Sequence, residues 1–268
     1  MTSISSMAGL LHPPSAKARV IVALRAYFDE SGTHWGGPMA SDAFVLCGYI
    51  APESLWDDKT PEGFLEKWNG IMHGKAFHAT EMESNPQGPD VKLGLSQLLT
   101  KCGVIGVRGG ISIPAYKKIL LPHLLRKGED DNPYRFLFAD VVAEAVKRAA
   151  MFIGEDPSEP IGFVFADIEK WRDDALKFYY YVRDEDHETP DEVRRKMGPI
   201  AFECIKRFAP LQAADHLAFE SWHYMTDPPD VDRPAMNVLM NWPQNHGMFW
   251  RDATLEAYLE KLREEGRL

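Results

Sequence analysis

The sequence predicts an α/β fold in which helices flank a mixed sheet, and three observations lead to this class. Short apolar runs typical of strands alternate with longer segments whose apolar residues recur at helical spacing. The chain contains no internal repeat and no low-complexity tract. At 268 residues, of which 45% are hydrophobic, it is long enough to bury a substantial core.

The first half of the chain predicts two paired strands followed by helices. Residues 20–28 and 44–50 are apolar runs, and the Gly- and Pro-containing loop between them suits an antiparallel pair. Thr60 and Pro61 predict the start of a helix that reaches about Met72, because they supply an N-cap and a first-turn proline. The next elements are a helix at 91–99 and a strand at 104–107, with a bend at Gly109 and Gly110.

The second half continues the alternation. Asn132 and Pro133 predict the start of a long helix that ends near residue 153. The run 161–166 is apolar throughout, as expected for a central strand, and it ends on Asp167. The remaining elements are a charged helix at 169–186, a strand at 199–202, and helices at 210–220 and 252–267.

Composition also predicts the domain boundaries. Residues 1–17 lack the basic start of a signal peptide and contain two adjacent prolines, so they predict a disordered lead-in. Residues 18–224 hold the alternating elements and form the main domain. Residues 225–268 are rich in Pro, Asp and Asn, and they predict a peripheral extension packed on that domain.

Charge and cysteine content limit the binding partners and the cellular compartment that the sequence predicts. The net charge of −10 disfavours nucleic-acid binding through a broad basic surface, although bound divalent cations would reverse the sign locally. The three cysteines are widely spaced and form no CxxC pair, which fits a reducing cytoplasm. We expect no membrane span, because no apolar run approaches the roughly 18 residues that one requires.

Acidic residues occur where two strands are expected to end. The stretch YFDESG brings Asp29 and Glu30 to the end of the first strand, and Asp167 follows a later one. Because side chains alternate between the faces of a strand, Asp29 is favoured over Glu30 unless a bulge turns both inward. The alternative roles are an Asx-type turn for Asp29 and a helix cap for Asp167.

Asp215 lies on the apolar face of its predicted helix. Leu211, Ala214 and Trp222 recur at the spacing of a buried face, and Asp215 is one turn from Leu211. A buried carboxylate requires a cation, a group of donors or a metal. The alternative is a structural salt bridge, for instance to an arginine.

Three acids from two strand ends and one helix predict a site for hard cations. Carboxylate oxygens are ligands that Mg²⁺ and Mn²⁺ prefer. Two such ions about 3.5–4 Å apart can activate a water on one side of a phosphodiester and stabilise the leaving oxygen on the other. We therefore expect Asp29, Asp167 and Asp215 to hold two divalent ions, with Glu30 as a further ligand.

Four motifs follow one another between about Ala26 and Glu220, namely YFDESG, FVLCGYIAP, FHATEM and PLQAADHLAFE. In this order they resemble the prokaryotic and phage family called domain of unknown function 3800, whose signatures look like DESG, FHA followed by an acid, and LQxADxxA. The resemblance implies a ribonuclease H-like fold with acids on the first strand, a later strand and a final helix. It supports Asp29 and Asp215 directly, whereas Glu169 competes with Asp167.

His78 and Glu81 of the FHATEM motif complete the predicted site. Three residues apart, they share a face of a helical turn, and an imidazole near a metal-bound phosphate can act as general base, general acid or ligand. The alternative is a histidine that only packs or forms a hydrogen bond. The resemblance favours a catalytic role for both residues. His34 is a further candidate for the same pocket, without a motif to support it.

These observations together predict a Mg²⁺- or Mn²⁺-dependent phosphodiesterase that hydrolyses DNA or RNA. Two alternatives stay open. One is an inactive ribonuclease H-like module that binds a protein or nucleic acid, and the other is a metal-dependent hydrolase of a small phosphorylated substrate. The acidic net charge motivates both. The sequence makes no prediction about the number of subunits.

Overall fold

Six strands form one mixed sheet in the computed structural model, which describes residues 24–32, 41–126, 132–153, 160–167, 169–186 and 189–266. The strands are β1 (Leu24–Ser31), β2 (Ala43–Pro52), β3 (Ile105–Ser112), β4 (Ile161–Ala166), β5 (Met197–Glu203) and β6 (Asn245–Trp250). Their order across the sheet is β5-β4-β1-β2-β3-β6. The β1–β2 and β2–β3 pairs are antiparallel, and the β1–β4, β4–β5 and β3–β6 pairs are parallel. The predicted α/β class with a mixed sheet is therefore confirmed.

Helices flank this sheet. In chain order they are α1 (Glu53–Trp56), α2 (Phe64–Met72), α3 (Ala79–Glu83), α4 (Gly88–Leu99), α5 (Leu121–Arg126), α6 (Pro133–Ile153), α7 (Glu169–Tyr180), α8 (Asp191–Lys196), α9 (Ala209–Thr226), α10 (Pro234–Met240) and α11 (Asp252–Glu264). Shorter helical turns occur at Ile113–Ala115, Tyr116–Leu120, Tyr181–Glu185 and Ile205–Arg207. Within the described ranges, no helix is both long and apolar enough to cross a membrane.

The two faces of the sheet carry separate apolar cores. Phe28 of β1 is buried in a cluster with Val141 of α6. Its neighbour Tyr27 is buried in the other cluster, together with Cys47 of β2 and Leu211 of α9. Because successive side chains of a strand point to opposite faces, β1 must be apolar on both sides. This explains why Ala26, Tyr27 and Phe28 are apolar in succession instead of alternating with polar residues.

β1 ends on its acidic residues without any irregularity. It pairs with β2 from Leu24, opposite Pro52, to Ser31, opposite Val45, and no bulge interrupts this register. Asp29 therefore belongs to the α9 face and Glu30 to the α6 face at the end of the strand. The regular register keeps the two acids on opposite faces of the strand, and the bulge considered as the alternative is absent between Leu24 and Ser31.

Gly32 ends β1 because only glycine fits there. Its φ of 79° lies in the left-handed region, and a Cβ atom would overlap the carbonyl oxygen of Ala43. The same atom would lie 2.8 Å from the indole of Trp222, which closes over the glycine from α9. Trp222 Nε1 donates a hydrogen bond of 2.8 Å to Ser41 Oγ. The glycine of the DESG motif thus lets α9 approach the end of the strand.

Two predictions differ from the structure, one at Gly109 and Gly110 and the other at Thr60. The bend expected at Gly109 and Gly110 is wrong, since β3 continues through both residues. A Cβ on Gly109 would lie 2.7 Å from Val141, and one on Gly110 would lie 2.7 Å from Phe249, so these glycines make room for neighbouring side chains. Helix α2 begins at Phe64, because Thr60 lies in a turn where its amide donates to Asp58 Oδ1 at 2.9 Å.

The described C-terminal residues 225–266 contribute one edge strand to the sheet. Their strand β6 pairs with β3, from Asn245 opposite Gly106 to Trp250 opposite Ile111, so the extension adds a sixth strand to the sheet. The predicted lead-in at 1–17 and the first residues of the predicted strand at 20–28 lie outside the described residues. The other predicted strands and helices are confirmed, with boundaries shifted by a few residues.

Asp140 of α6 connects the helix layer to the added strand. Its Oδ2 accepts a hydrogen bond of 2.9 Å from Trp250 Nε1. Burial raises the pKa of Asp140 to about 6, and the nearby charge of Glu144 adds to this rise.

We expect Asp140→Asn to remove part of the pH dependence of stability. A carboxyl whose pKa is raised by folding stabilises the protein below its ordinary pKa and loses that contribution as the pH rises through about 6. Asparagine keeps an acceptor for Trp250 but cannot ionise. The difference in free energy of unfolding between the variant and the wild type should therefore shift in favour of the variant by about 1–3 kcal/mol when the pH rises from about 4.5 to about 7.5. Urea unfolding at the two pH values measures this change. The same difference in unfolding free energy between variant and wild type at both pH values would contradict this expectation. Asp252→Asn on α11 is the control.

Candidate functional site

Asp29 and Glu30 lie at the end of β1, close enough to Asp215 for its charge to raise the pKa of both. Asp29 is 6% exposed and Asp215 is 7% exposed. Burial raises the pKa of Asp29 well above its usual range, and the charges of Glu30 and Asp215 raise it further. Burial also raises the pKa of Glu30 to about 8, with contributions from the charges of Asp215 and Asp167. The structure thus gathers the predicted carboxylates into one electrostatically coupled group.

The sheet topology explains this meeting of residues distant in sequence. β1 and β4 are parallel, with Phe28 opposite Phe165, so Glu30 and Asp167 come at the same level two residues later. The carboxyl ends of parallel strands meet at one edge of a sheet. Helix α9 crosses the face of β1 and brings Asp215 to that edge.

Asp215 is partly neutralised by the FHATEM segment. Its Oδ2 accepts a hydrogen bond of 2.7 Å from the amide of Ala79, and Nδ1 of His78 lies 3.4 Å from the same oxygen. The interaction with this carboxylate raises the pKa of His78 above its usual value. Within the described part of the chain, the partners of Asp215 are thus an amide and an imidazole, and not the arginine of the alternative interpretation.

Gln212, one turn before Asp215 on α9, holds the same segment and was missed by the sequence analysis. Its side chain is fully buried, and its Oε1 accepts a hydrogen bond of 2.9 Å from the amide of Phe77 and one of 3.3 Å from Trp68 Nε1. Gln212 and Asp215 therefore receive backbone amides from both sides of His78. This contact gives a physical reason for the FHA and LQxAD motifs to occur in one chain.

Glu81 is not part of the buried acidic group. It lies near His78, whose pKa its charge helps to raise, but its side chain is 60% exposed. Its Oε1 is 3.7 Å from Nζ of Lys206, which is equally exposed. The structure therefore brings Glu81 to the rim of the site, beside a lysine.

Asp167 lies near the site, and an arginine binds its carboxylate. Arg172 of α7 binds both of its carboxylate oxygens, through a 2.8 Å hydrogen bond from Nε to Oδ1 and a second contact from Nη2 to Oδ2. This ion pair satisfies the carboxylate more fully than the helix cap considered from the sequence. The side chain of its competitor Glu169, and His34 as a whole, lie outside what the structure describes.

Tyr134 is a further neighbour of the acids that the sequence did not indicate. It is buried near the start of α6, where its amide donates a 3.0 Å hydrogen bond to Asn132 Oδ1. Burial raises the pKa of its phenol, and the charges of Glu30 and Asp29 contribute. The cap at Asn132 was visible in the sequence, but the proximity of the phenol to β1 depends on the tertiary structure.

A buried ion network fixes the other end of α3. Glu83, its last residue, contacts Lys92 Nζ at 2.5 Å and Arg233 Nη1 at 3.0 Å. Glu220 of α9 binds the same two cations, Lys92 at 3.2 Å and Arg233 at 3.2 Å. Lys92 and Glu220 are both almost fully buried. Helix α3 is thus tied to α9 at its start by Asp215 and at its end through this network.

The residues present fit a hard divalent cation by donor type and by charge. Oε1 of Glu30 is buried and has no hydrogen-bond partner among the described residues, which is unusual for a carboxylate. Asp29 accepts a 2.9 Å hydrogen bond only from the adjacent amide of Glu30, among the bonds described. In the same ranges, however, no group of three or more His, Cys, Asp or Glu side chains is placed so that it could hold a metal ion.

We expect Gln212→Leu to destabilise the protein by about 2–4 kcal/mol, because leucine leaves the Phe77 amide and the Trp68 indole buried without an acceptor. Urea unfolding measures the loss, and hydrogen exchange should quicken at Phe77 and Ala79. The matched control is Gln97→Leu on the exposed face of α4. Unchanged exchange at Phe77 and Ala79 would contradict the assigned role of Gln212.

We expect Glu30→Gln to stabilise the metal-free protein by about 1–2 kcal/mol at pH 7, because folding raises the pKa of Glu30 to about 8 and forces the carboxyl to take up a proton, whereas glutamine cannot ionise. Thermal unfolding in the presence of a chelator measures the change. Glu256→Gln on the exposed face of α11 serves as the control. A lower melting temperature for Glu30→Gln would show that the carboxylate is already compensated within the protein.

Comparison with known proteins gives no match for this chain. No protein-family model matches it, and no curated protein matches it either. The similarity to domain of unknown function 3800 therefore stays a prediction that depends on the four motifs.

Proposed function

We propose that this protein is a divalent-metal-dependent phosphodiesterase with a ribonuclease H-like fold, and that it hydrolyses DNA or RNA. The observation that carries the proposal is the cluster of Asp29, Glu30 and Asp215 at the end of the central strand, where burial and neighbouring charge raise the pKa of Asp29 and Glu30 and where Glu30 Oε1 has no hydrogen-bond partner among the described residues. Like charges buried together are tolerated when a cation joins them. Carboxylate oxygens favour Mg²⁺ and Mn²⁺ among the cations available to a protein.

The arrangement of elements supports the ribonuclease H-like part of the proposal. The resemblance implies acids on a first strand, on a later strand and on a final helix. Asp29 ends β1, Asp167 follows the neighbouring parallel strand β4, and Asp215 lies on α9. The order of these elements along the chain agrees with that expectation.

Four carboxylates would hold the ions. Asp29 and Asp215 face the same side of the sheet, and Glu30 offers its free Oε1. Asp167 adds a ligand once Arg172 releases one of its oxygens. When bound, the ions would supply an activated water and stabilise the leaving oxygen of the phosphodiester.

His78 would transfer a proton beside these ligands. Its Nδ1 faces Asp215, so Nε2 is the nitrogen that can exchange a proton with the substrate. The interaction with Asp215 raises the pKa of His78, and this shift toward the protonated ring suits donation of a proton from Nε2 to the leaving oxygen. Asp215 and Gln212 hold the His78 backbone and thereby orient the imidazole.

One observation favours an inactive binding module as the second candidate. The bidentate pair between Arg172 and Asp167 occupies a carboxylate that the catalytic proposal assigns to metal. A structural role for Asp167 would leave a site with fewer ligands, and such a site can bind nucleic acid or an ion without hydrolysis.

The test is hydrolysis of labelled DNA and RNA oligonucleotides with Mg²⁺ or Mn²⁺. We expect Asp29→Asn and Asp215→Asn each to lower the rate by more than about 100-fold, beyond the 10–100-fold typical of residues that only support a ligand. Asp252→Asn, an exposed acid on α11, should keep the wild-type rate.

The outcomes separate the candidates. Activity that persists in both Asp29→Asn and Asp215→Asn would overturn the assigned site. Oligonucleotide binding without hydrolysis in any metal would favour the binding module. Turnover of mononucleotides alone would favour the hydrolase of a small phosphorylated substrate.

A further inference from the structure

A basic turn lies at the same edge of the sheet as the acids. The turn Ile205–Arg207 connects β5 to α9, and its residues Lys206 and Arg207 are exposed. β5 runs parallel to β4, and the amide of Asp167 donates a 3.0 Å hydrogen bond to the carbonyl of Glu203 at the end of β5. The turn therefore begins directly beside the acid that follows β4.

Gln212 fixes this turn relative to His78. Its Nε2 lies 3.4 Å from the carbonyl oxygens of both Ile205 and Lys206, while its Oε1 accepts the amide of Phe77. One fully buried side chain thus joins the backbone of the basic turn to the backbone of the histidine segment. Lys206 extends from a main chain whose position relative to the site is set.

Among the described residues, Lys206 forms a weak ion pair. Its Nζ is 3.7 Å from Glu81 Oε1, and the two side chains are 61% and 60% exposed. An ion pair of this length and exposure contributes little to stability, so another anion can replace the glutamate at little cost. A phosphodiester oxygen is such an anion.

The overall charge makes a local cation necessary for a polyanionic substrate. The chain carries a net charge of −10, so beyond the bound ions nucleic acid is repelled except where a basic side chain meets a phosphate. We infer that Lys206 leaves Glu81 and binds a phosphate next to the bond that is hydrolysed, which makes the substrate a polynucleotide rather than a mononucleotide. This inference rests on the proposed function.

The salt dependence of binding tests this role. Affinity for a labelled single-stranded oligonucleotide is measured by fluorescence anisotropy with Mg²⁺ present, at several NaCl concentrations, and the oligonucleotide is checked for integrity afterwards. Removing one phosphate contact lowers the slope of log K against log salt by about 0.7 for a single strand. We expect this change for Lys206→Ala, with weaker binding at low salt, and recovery in Lys206→Arg.

Lys261→Ala is the matched control, because Lys261 on α11 also forms an exposed ion pair of 3.7 Å, with Glu265. It should leave the slope unchanged. Glu81→Gln should tighten binding by freeing Lys206, and this gain should disappear when Lys206→Ala is added. A gain that survives in the double variant would assign the effect to general repulsion and overturn the exchange.

The results separate this inference from the proposed function. A lower slope in Lys206→Ala without hydrolysis by the wild type supports the phosphate contact and overturns the phosphodiesterase. Hydrolysis together with a wild-type slope in Lys206→Ala overturns the phosphate contact alone. Failure of the wild type to bind the oligonucleotide at any salt concentration overturns the contact as well.

Discussion

The burial of carboxylates at the end of β1 is the constraint on which the rest of the site depends. Each acid is compensated to a different degree. Asp167 has a bidentate arginine, Asp215 has an amide and an imidazole, and Asp29 has one amide of the adjacent residue. Glu30 has an oxygen with no partner among the described residues. The deficit of positive charge is therefore largest at β1 itself, between the two elements that supply the other acids.

The burial of these carboxylates also determines the position of the segment that carries His78. Asp215 needs compensation, and it comes from a hydrogen bond donated by the amide of Ala79 and from the ring of His78 at ion-pair distance. Gln212 and the Glu83 network then keep this segment against α9 at both of its ends. The same contacts that make a buried aspartate tolerable thus place an imidazole beside it, so stability and proposed chemistry share one set of bonds.

Local sequence signals were sufficient for most of the sheet and for the acids. The apolar run of β4 and the cap before α6 are contained within a few residues, and the helical spacing around Asp215 showed that a carboxylate would be buried. β6 could not be recognised in this way, because its middle residues are exposed and it is ordered by pairing with β3. Gln212 and Arg233 were missed for the same reason, since their partners are far away in sequence.

The burial of β1 on both faces has a consequence for how the acids keep their positions. Paired with β2 on one side and β4 on the other, this strand lies between two cores, one around Phe28 and one around Tyr27. A slip of one residue would exchange every side chain between those cores, so alternative alignments are strongly disfavoured. Such a central strand opens only when the cooperative unit around it unfolds. The acids of β1 therefore lie in the most protected part of the molecule. A ligand binds them in positions that folding has already fixed.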